Sequence, residues 1–180
     1  MQKHKKVEKI LYSQEFLEQK ILECAKWINT NYKDSQNLVL VGLLKGAIPF
    51  LAQLIKSVEV DHSIDFITAS SYDGGHSSTG SVKIIMDLSK DIKCKDVLII
   101  EDIIDSGITL SKIKQILENR EPKSLKIVTL MDKPHNRKSN LVADYSCFEV
   151  EDEFLVGFGL DYKEELRNLP YIGIFNKKYL

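Results

Sequence analysis

Cysteine is scarce in this sequence, and its few positions show no pairing pattern. Cys24, Cys94 and Cys147 are the 3 cysteines among 180 residues, and no two of them have the Cys-x-x-Cys spacing of zinc or thiol–disulfide sites. An odd number of free thiols fits a reducing compartment better than a disulfide framework. We therefore expect a cytoplasmic protein.

Long hydrophobic runs and an excess of charge of one sign are also absent. The run over residues 38–44 has 7 residues, far short of the roughly 18 that cross a membrane. Basic residues open the chain, but Glu8 and Lys9 stand where a signal peptide would be apolar. The formal net charge of -1 gives no general attraction to nucleic acid or to an anionic membrane. We expect neither as a partner.

Several catalytic signatures are missing as well. The sequence contains no Gly-x-x-x-x-Gly-Lys-Ser/Thr, no Gly-x-Gly-x-x-Gly, no Gly-x-Ser-x-Gly and no His-Glu-x-x-His. These absences argue against a P-loop kinase, a classical dinucleotide enzyme, a hydrolase with a nucleophile elbow and a zinc protease, in that order.

Strand and helix patterns alternate along the middle of the chain. Apolar runs at 38–41, 97–101 and 125–131 predict buried strands. Helical spacing predicts helices over 17–28, 48–56 and 108–117, and Ser13 is a suitable N-cap for the first of them. This alternation is typical of a parallel sheet with helical crossovers. A chain of 180 residues can bury its core as a single domain. We predict an α/β fold, a parallel twisted sheet flanked by helices.

The other segments predict smaller elements. Residues 63–70 and 82–86 read as strands of a hairpin arm, and the small, polar loop over 71–81 between them is either a plain hairpin loop or a lid. The basic segment 132–139 is either a solvated loop or a wall of a site. A short helical stretch ending at Arg167 and a final strand near 171–175 follow.

Residues 97–110 combine a strand, carboxylates and a helix start. The apolar strand leads to Glu101 and Asp102, and Asp-Ser-Gly then turns the chain into a helix. Ligands of open α/β sheets bind past the carboxyl ends of strands, and a helix start offers free N–H groups to a phosphate. We predict acid groups for sugar hydroxyls or a metal ion beside a phosphate site. Lys45 and Gly46, after an earlier strand, are either solvated surface or a second anion site.

The same stretch resembles the phosphoribosyl-diphosphate motif of the type I phosphoribosyltransferases. That motif has apolar residues, Glu-Asp, two apolar residues, Asp-Ser/Thr-Gly and Thr. Other segments are similar to the hypoxanthine/guanine members of the family. Residues 43–46 resemble their pyrophosphate loop, residues 71–80 their mobile loop, and residues 132–134 the segment with their base-recognition lysine. Residues 154–162 and 167–173 resemble their hood and tail. The resemblance covers about residues 8–178.

The resemblance implies a fold and a reaction. The fold would have a core of about residues 35–140, a small hood subdomain from about 1–15 and 141–180, and a mobile loop at about 71–81. The reaction would transfer the 5-phosphoribosyl group from phosphoribosyl diphosphate to N9 of hypoxanthine or guanine, which gives IMP or GMP plus pyrophosphate. Members usually form dimers or tetramers, so we expect a homodimer or homotetramer.

The resemblance also implies a role for each matching residue. Asp105 would be the catalytic base at purine N7, and Glu101 and Asp102 would meet the ribose hydroxyls and Mg²⁺, with Asp161 at a second Mg²⁺. The 5′-phosphate would be bound by Ser106, Gly107, Ile108 and Thr109, and the pyrophosphate by Lys45, Gly46 and Arg167. The purine would be bound by Lys133, Phe154, Leu155 and Asp161. Ser71 and Tyr72 would form a lid.

Two positions depart from the family pattern. Ile108 stands where some members have lysine, so phosphate binding there would depend on backbone and hydroxyl groups. Ser146-Cys147 stands where many members have Val-Gly. The added bulk, expected beside the base site, leaves the ranking of hypoxanthine, guanine and xanthine open.

Three alternatives remain beside the leading interpretation. The first is a xanthine-preferring enzyme of the same fold. The second is a nucleotide-sensing, RNA-binding regulator, against which the balanced charge and the set of Lys133, Phe154 and Asp161 argue. The third is a related protein that no longer catalyses, against which Asp105 and Lys45 argue.

Overall fold

The computed structural model of the protein describes residues 2–71 and 82–180. In chain order its main elements are β1 (Val7–Tyr12), α1 (Gln14–Asn31), β2 (Leu38–Leu43), α2 (Ile48–Leu54), β3 (His62–Ser71), β4 (Val82–Met86), β5 (Asp96–Ile104), α3 (Ile108–Glu118), β6 (Ser124–Asp132), β7 (Tyr145–Glu149), β8 (Leu155–Val156) and β9 (Ile172–Phe175). No helix in these described ranges is long and apolar enough to cross a membrane.

The larger sheet has the strand order β4-β3-β2-β5-β6-β7. All neighbours pair in parallel except β3 and β4, which form an antiparallel arm at one edge. Alternate residues of β5 face opposite sides. Leu98 and Ile100 pack in the core that contains α1 and α2, whereas Val97 and Ile99 pack in the core that contains α3. The predicted parallel sheet flanked by helices is confirmed.

Local signals placed the helices well. Ser13 caps α1, since its Oγ accepts a hydrogen bond from Phe16 N at 3.3 Å. The helix predicted over 48–56 ends as an α-helix at Leu54 and continues as a 3-10 turn over Ile55–Ser57. Strand β5 runs past Glu101, where the prediction ended it, because β6 keeps pairing with it as far as Ile104.

The smaller sheet joins the two ends of the chain. Its order is β1-β9-β8, with antiparallel pairing throughout. The range from 141 onward that we assigned to a hood also contains β7, which is the edge strand of the larger sheet and pairs with β6. The loop expected over 71–81 lies outside the described residues, apart from Ser71 at the end of β3.

The prediction of a short helical stretch that ends at Arg167 is wrong. Tyr162 and Glu165 instead form an isolated antiparallel bridge. Lys163 and Glu164 lie between them with φ angles of 52° and 69°. Two successive residues of positive φ make a tight reverse turn and cannot continue a right-handed helix. The chain therefore folds back on itself beside the site described next.

Candidate active site

The predicted site residues meet at the carboxyl edge of the larger sheet. Lys45 follows β2, Asp105 follows β5 and Lys133 follows β6. These three strands are neighbours that run in parallel. The edge is therefore the place where an open α/β sheet binds its ligands.

A hollow lies at the predicted phosphate site, between the end of β5 and the start of α3. Gly107 precedes the helix with φ 72°, a conformation that favours glycine. The N–H groups in the first turn of α3 have no acceptor within the helix, because no helical carbonyl precedes them. They are therefore available to a ligand. A cavity of ≈ 160 Å³ is lined here by Glu101, Asp105, Ser106, Gly107 and Thr109 among others. Ile108 is exposed at the helix start.

Glu101 and Asp102 are acidic groups in a poorly solvated place. Glu101 Oε2 is buried and has no hydrogen-bond partner among the described residues. Burial, followed by the neighbouring Asp102 charge, raises the pKa of Glu101 well above its usual range. Burial also raises the pKa of Asp102 to about 6, although the hydrogen bond from Ile103 N at 2.8 Å opposes this. Both carboxyl groups would gain from a cation or a hydroxyl donor.

Replacing Glu101 by glutamine should stabilise the ligand-free protein at neutral pH. Because the pKa of Glu101 is higher in the folded protein than its ordinary 4.5, stability falls as pH rises from that value toward the folded pKa. The more the folded protein weakens this acid, the larger this loss of stability becomes. Thermal unfolding should therefore show a gain for Glu101→Gln that is close to zero near pH 4.5 and grows toward pH 8.

A matched control is Glu118→Gln. The Glu118 carboxylate makes an exposed pair with Lys114 at 3.2 Å, and such pairs contribute little. This variant should show no pH-dependent gain. Equal stability changes for Glu101→Gln at both ends of the pH range would contradict the assignment of a raised pKa.

Lys133 lies beside Asp105, far from it in sequence. The Lys133 side chain is 8% exposed, and its Nζ donates a hydrogen bond to Glu153 O at 2.8 Å. The same Nζ is 3.8 Å from Asp105 Oδ2 and 3.5 Å from Asp152 Oδ1. A cavity of ≈ 640 Å³ adjoins Asp105 and Asp152. A buried ammonium group is thus fixed next to an accessible carboxylate.

Phe154 presents an aromatic ring at the same side of the site. The residue is 43% exposed, and its ring packs edge-on against Phe175 and Tyr162, with centroid distances of 5.4 and 6.0 Å. Its carbonyl accepts a hydrogen bond from Phe175 N at 2.7 Å. Leu155 follows as a buried residue of β8. The backbone here is held in place while the ring keeps accessible surface.

The two cations expected to bind pyrophosphate share one carboxylate. Lys45 Nζ lies 2.7 Å from Glu164 Oε2, and Arg167 Nη2 lies 3.2 Å from Glu164 Oε1. Arg167 Nη2 also lies 2.8 Å from Asp161 Oδ1. The sequence pattern did not single out Glu164, because only the tight turn after Tyr162 brings it to this place.

Gly46 fits closely between two neighbours. A Cβ at this position would overlap the carboxylate of Asp102, and a Cβ at Gly159 would overlap the Gly46 carbonyl. The Lys45 loop therefore packs between β5 and the segment that carries Asp161 and Arg167. The expected pyrophosphate residues and the expected metal ligands Asp102 and Asp161 are brought to the same region.

Cys147 does not add bulk on the base side as expected. It belongs to the core formed with α1, and its Sγ contacts Lys20 O at 3.8 Å. The Sγ also lies against Cys24, and this contact together with burial raises the pKa of the Cys24 thiol. Helix packing therefore accommodates the larger side chain.

The protein's own donors fit only part of a magnesium site. No group of three or more His, Cys, Asp or Glu residues within 2–71 and 82–180 is arranged to hold a metal ion. Mg²⁺ commonly uses one or two carboxylates together with substrate phosphates and waters. The buried carboxyl of Asp102, whose pKa is raised to about 6, fits such a partial ligand set.

The comparisons with known proteins agree with this geometry. Residues 8–163 match the family model described as a phosphoribosyl transferase domain. This chain belongs to the phosphoribosyltransferase family. The hypoxanthine phosphoribosyltransferase of Escherichia coli (strain K12) is 54% identical over 155 residues, which are 86% of this chain and 87% of that protein. The hypoxanthine-guanine phosphoribosyltransferase of Bacillus subtilis (strain 168) is 49% identical over 97% of this chain and 96% of its own length.

Solved structures extend the similarity of this phosphoribosyltransferase to the whole fold. A Staphylococcus aureus hypoxanthine phosphoribosyltransferase has a TM-score of 0.94 and 45% identity, covering 98% of this chain and 95% of its own. The Trypanosoma cruzi enzyme in complex with the product IMP has a TM-score of 0.94 and 34% identity, covering 100% of both chains. The expected family and the expected fold are confirmed.

Proposed function

We propose that this phosphoribosyltransferase transfers the 5-phosphoribosyl group from phosphoribosyl diphosphate to N9 of hypoxanthine or guanine, which gives IMP or GMP and pyrophosphate. The observation that carries the proposal is the buried Lys133 ammonium beside Asp105, next to the hollow at the start of α3. The names of the similar E. coli and B. subtilis enzymes and the IMP complex of the T. cruzi enzyme support it.

Base recognition and proton transfer would take place at Lys133 and Asp105. A 6-oxopurine offers an acceptor to the Lys133 ammonium, whereas the 6-amino group of adenine would face it with a donor. The Asp105 side chain is 55% exposed and could accept the N7 proton as N9 forms its bond to the sugar. Phe154 would stack on the purine, and the Leu155 backbone would face its amino edge.

The sugar and phosphate would occupy the β5–α3 region. N–H groups of residues 106–109 and the hydroxyls of Ser106 and Thr109 would hold the 5′-phosphate. The sugar develops positive charge as pyrophosphate leaves, which favours nearby carboxylates such as Glu101 and Asp102. Ser71 and Tyr72 would close over the centre and exclude water.

Pyrophosphate would take the place of an internal carboxylate. Lys45 and Arg167 already hold the Glu164 side chain between them, so an anion can be accommodated at this position without new cations. Glu101 and Asp102 would hold one Mg²⁺ at the ribose, and Asp161 would hold a second. These ions would supply positive charge to the diphosphate and make it a better leaving group. Gly46 would let the backbone approach the leaving group closely.

The proposal is tested by measuring turnover with each of four bases. The spectrophotometric assay contains phosphoribosyl diphosphate, Mg²⁺ and hypoxanthine, guanine, xanthine or adenine. We expect turnover with hypoxanthine or guanine and none with adenine. No turnover with any 6-oxopurine would refute the proposal, and a clear preference for xanthine would favour the alternative enzyme.

We also propose a homo-oligomer. An apolar hollow of ≈ 290 Å³ opens beside α2 and β3, where Ile48 is 50% exposed and Phe66 is 36% exposed. Apolar surface of this kind is common where subunits meet. Light scattering at assay concentrations should give the mass of a dimer or tetramer, and a monomer would contradict the proposal.

The 3 cysteines are free, which supports the proposed cytoplasmic location.

A further inference from the structure

We propose that Arg137 is a positioning residue for the catalytic base Asp105. This inference rests on the proposed function, because it concerns how the base is held. Arg137 lies in the loop after β6. The sequence predicted the surrounding segment 132–139 to be either a solvated loop or a wall of a site, and it gave Arg137 no role of its own. Its Nη1 donates a hydrogen bond to the main-chain oxygen of Asp105 at 2.7 Å.

Three consecutive carbonyls at the end of β5 receive donors from the loop after β6. Ile104 O accepts from Lys133 N at 2.9 Å, and Ser106 O accepts from Lys138 N at 2.9 Å. The Asp105 carbonyl lies between them, and the guanidinium group of Arg137 supplies its donor. The side chain thus continues the inter-strand hydrogen bonding one residue beyond the regular ladder, which ends at the pair Ile104 and Asp132.

The guanidinium group is itself held firmly. Arg137 Nη2 pairs with the Asp132 carboxylate, and the two side chains are 12% and 16% exposed. The stem of Arg137 packs on Gly107, where an added Cβ would lie 3.0 Å from Arg137 Cδ. A planar group fixed by two partners and by its stem defines the position of the Asp105 carbonyl better than a flexible ammonium group could.

The Asp105 carboxylate depends on this backbone support. Within the described residues its one ion pair is the long contact with Lys133 at 3.8 Å, and its side chain is 55% exposed. Its place relative to the purine is therefore determined by the main chain at Asp105. An error of about 1 Å in the position of a reacting group can cost about 100-fold in rate.

This arrangement predicts that Arg137 affects kcat more than substrate binding. The phosphate hollow keeps the hydrogen bond from Lys138 N to Ser106 O and the helix N–H groups when the Arg137 side chain is lost. We expect kcat to fall about 10- to 100-fold, while the KM for phosphoribosyl diphosphate changes less than about threefold. A residue that only stabilises the fold would not separate the two constants.

The test uses Asp132→Asn as its background. Removing Arg137 alone would leave the Asp132 carboxylate buried without its partner, which can unfold the protein. The pair to compare is therefore Asp132→Asn and the double variant Asp132→Asn with Arg137→Met, because methionine keeps the apolar stem and removes the donor. The control is Arg120→Gln, which breaks the ion pair of Arg120 Nη2 with Asp87 Oδ2 at 2.8 Å, away from the site.

A second measurement asks for chemical rescue. In the double variant Asp132→Asn with Arg137→Ala, guanidinium chloride below denaturing concentrations should restore part of kcat, since the ion can occupy the place of the lost guanidinium group and donate to the Asp105 carbonyl. Sodium chloride at the same ionic strength should not. Unchanged kcat in the double variant relative to Asp132→Asn, or an equal response to both salts, would overturn the inference. Absence of phosphoribosyl transfer by the parent protein would instead refute the proposed function.

Discussion

Replacing Asp105 by asparagine should lower kcat by about 10²- to 10⁴-fold, the loss expected for a general base. The substitution keeps the shape of the side chain and the main-chain hydrogen bond from Arg137, so the site should stay assembled. The amide cannot accept the N7 proton as a carboxylate does. Steady-state kinetics with hypoxanthine should show the loss in kcat and only a small change in the KM for phosphoribosyl diphosphate.

Asp152→Asn is the matched control for this experiment. The Asp152 carboxylate is also close to Lys133, at 3.5 Å, but its side chain is 73% exposed. It should contribute to the charge around the lysine and not to proton transfer. Equal losses of kcat in the two variants would mean that both act through Lys133, and Asp105 would lose its role as the base.

Replacing Lys133 by alanine should lower kcat/KM for hypoxanthine by about 10- to 100-fold, because a hydrogen bond from a charged donor contributes roughly 1.5–3 kcal/mol. The value for adenine should not fall, since the ammonium group opposes the 6-amino group. The ratio between the two bases should therefore shrink. Competition assays with both bases in one reaction measure this ratio directly.

The Lys133→Ala experiment needs a control variant, and one result would contradict it. Lys114→Met, on the outer part of α3, should leave the base ratio unchanged because its Nζ pairs with Glu118 at 3.2 Å on the surface. Loss of pyrophosphate or phosphoribosyl diphosphate binding in Lys133→Ala, with the base ratio unchanged, would contradict the assignment of the loop after β6 to the purine.

The predictions from sequence succeeded where the signal is contiguous. Residues 97–110 contain the strand, the turn and the helix start that border the cavity between β5 and α3, so one stretch was enough to predict these three elements. Periodic apolar residues likewise predicted α1 and the parallel strands. Local pattern failed after Tyr162, because the positive φ angles of Lys163 and Glu164 are imposed by the bridge across the turn.

The sequence by itself determined the α/β class, the strand, turn and helix start of residues 97–110 and the list of chemically suitable residues. Only the tertiary structure decided their neighbours. The Lys133 ammonium lies beside Asp105, Glu164 lies between Lys45 and Arg167, and Arg137 supplies a donor to the Asp105 carbonyl. The physical reason is that these contacts depend on the order of strands in the sheet and on the path of separate loops. Propensity and periodicity describe each segment alone and carry no information about which segments meet.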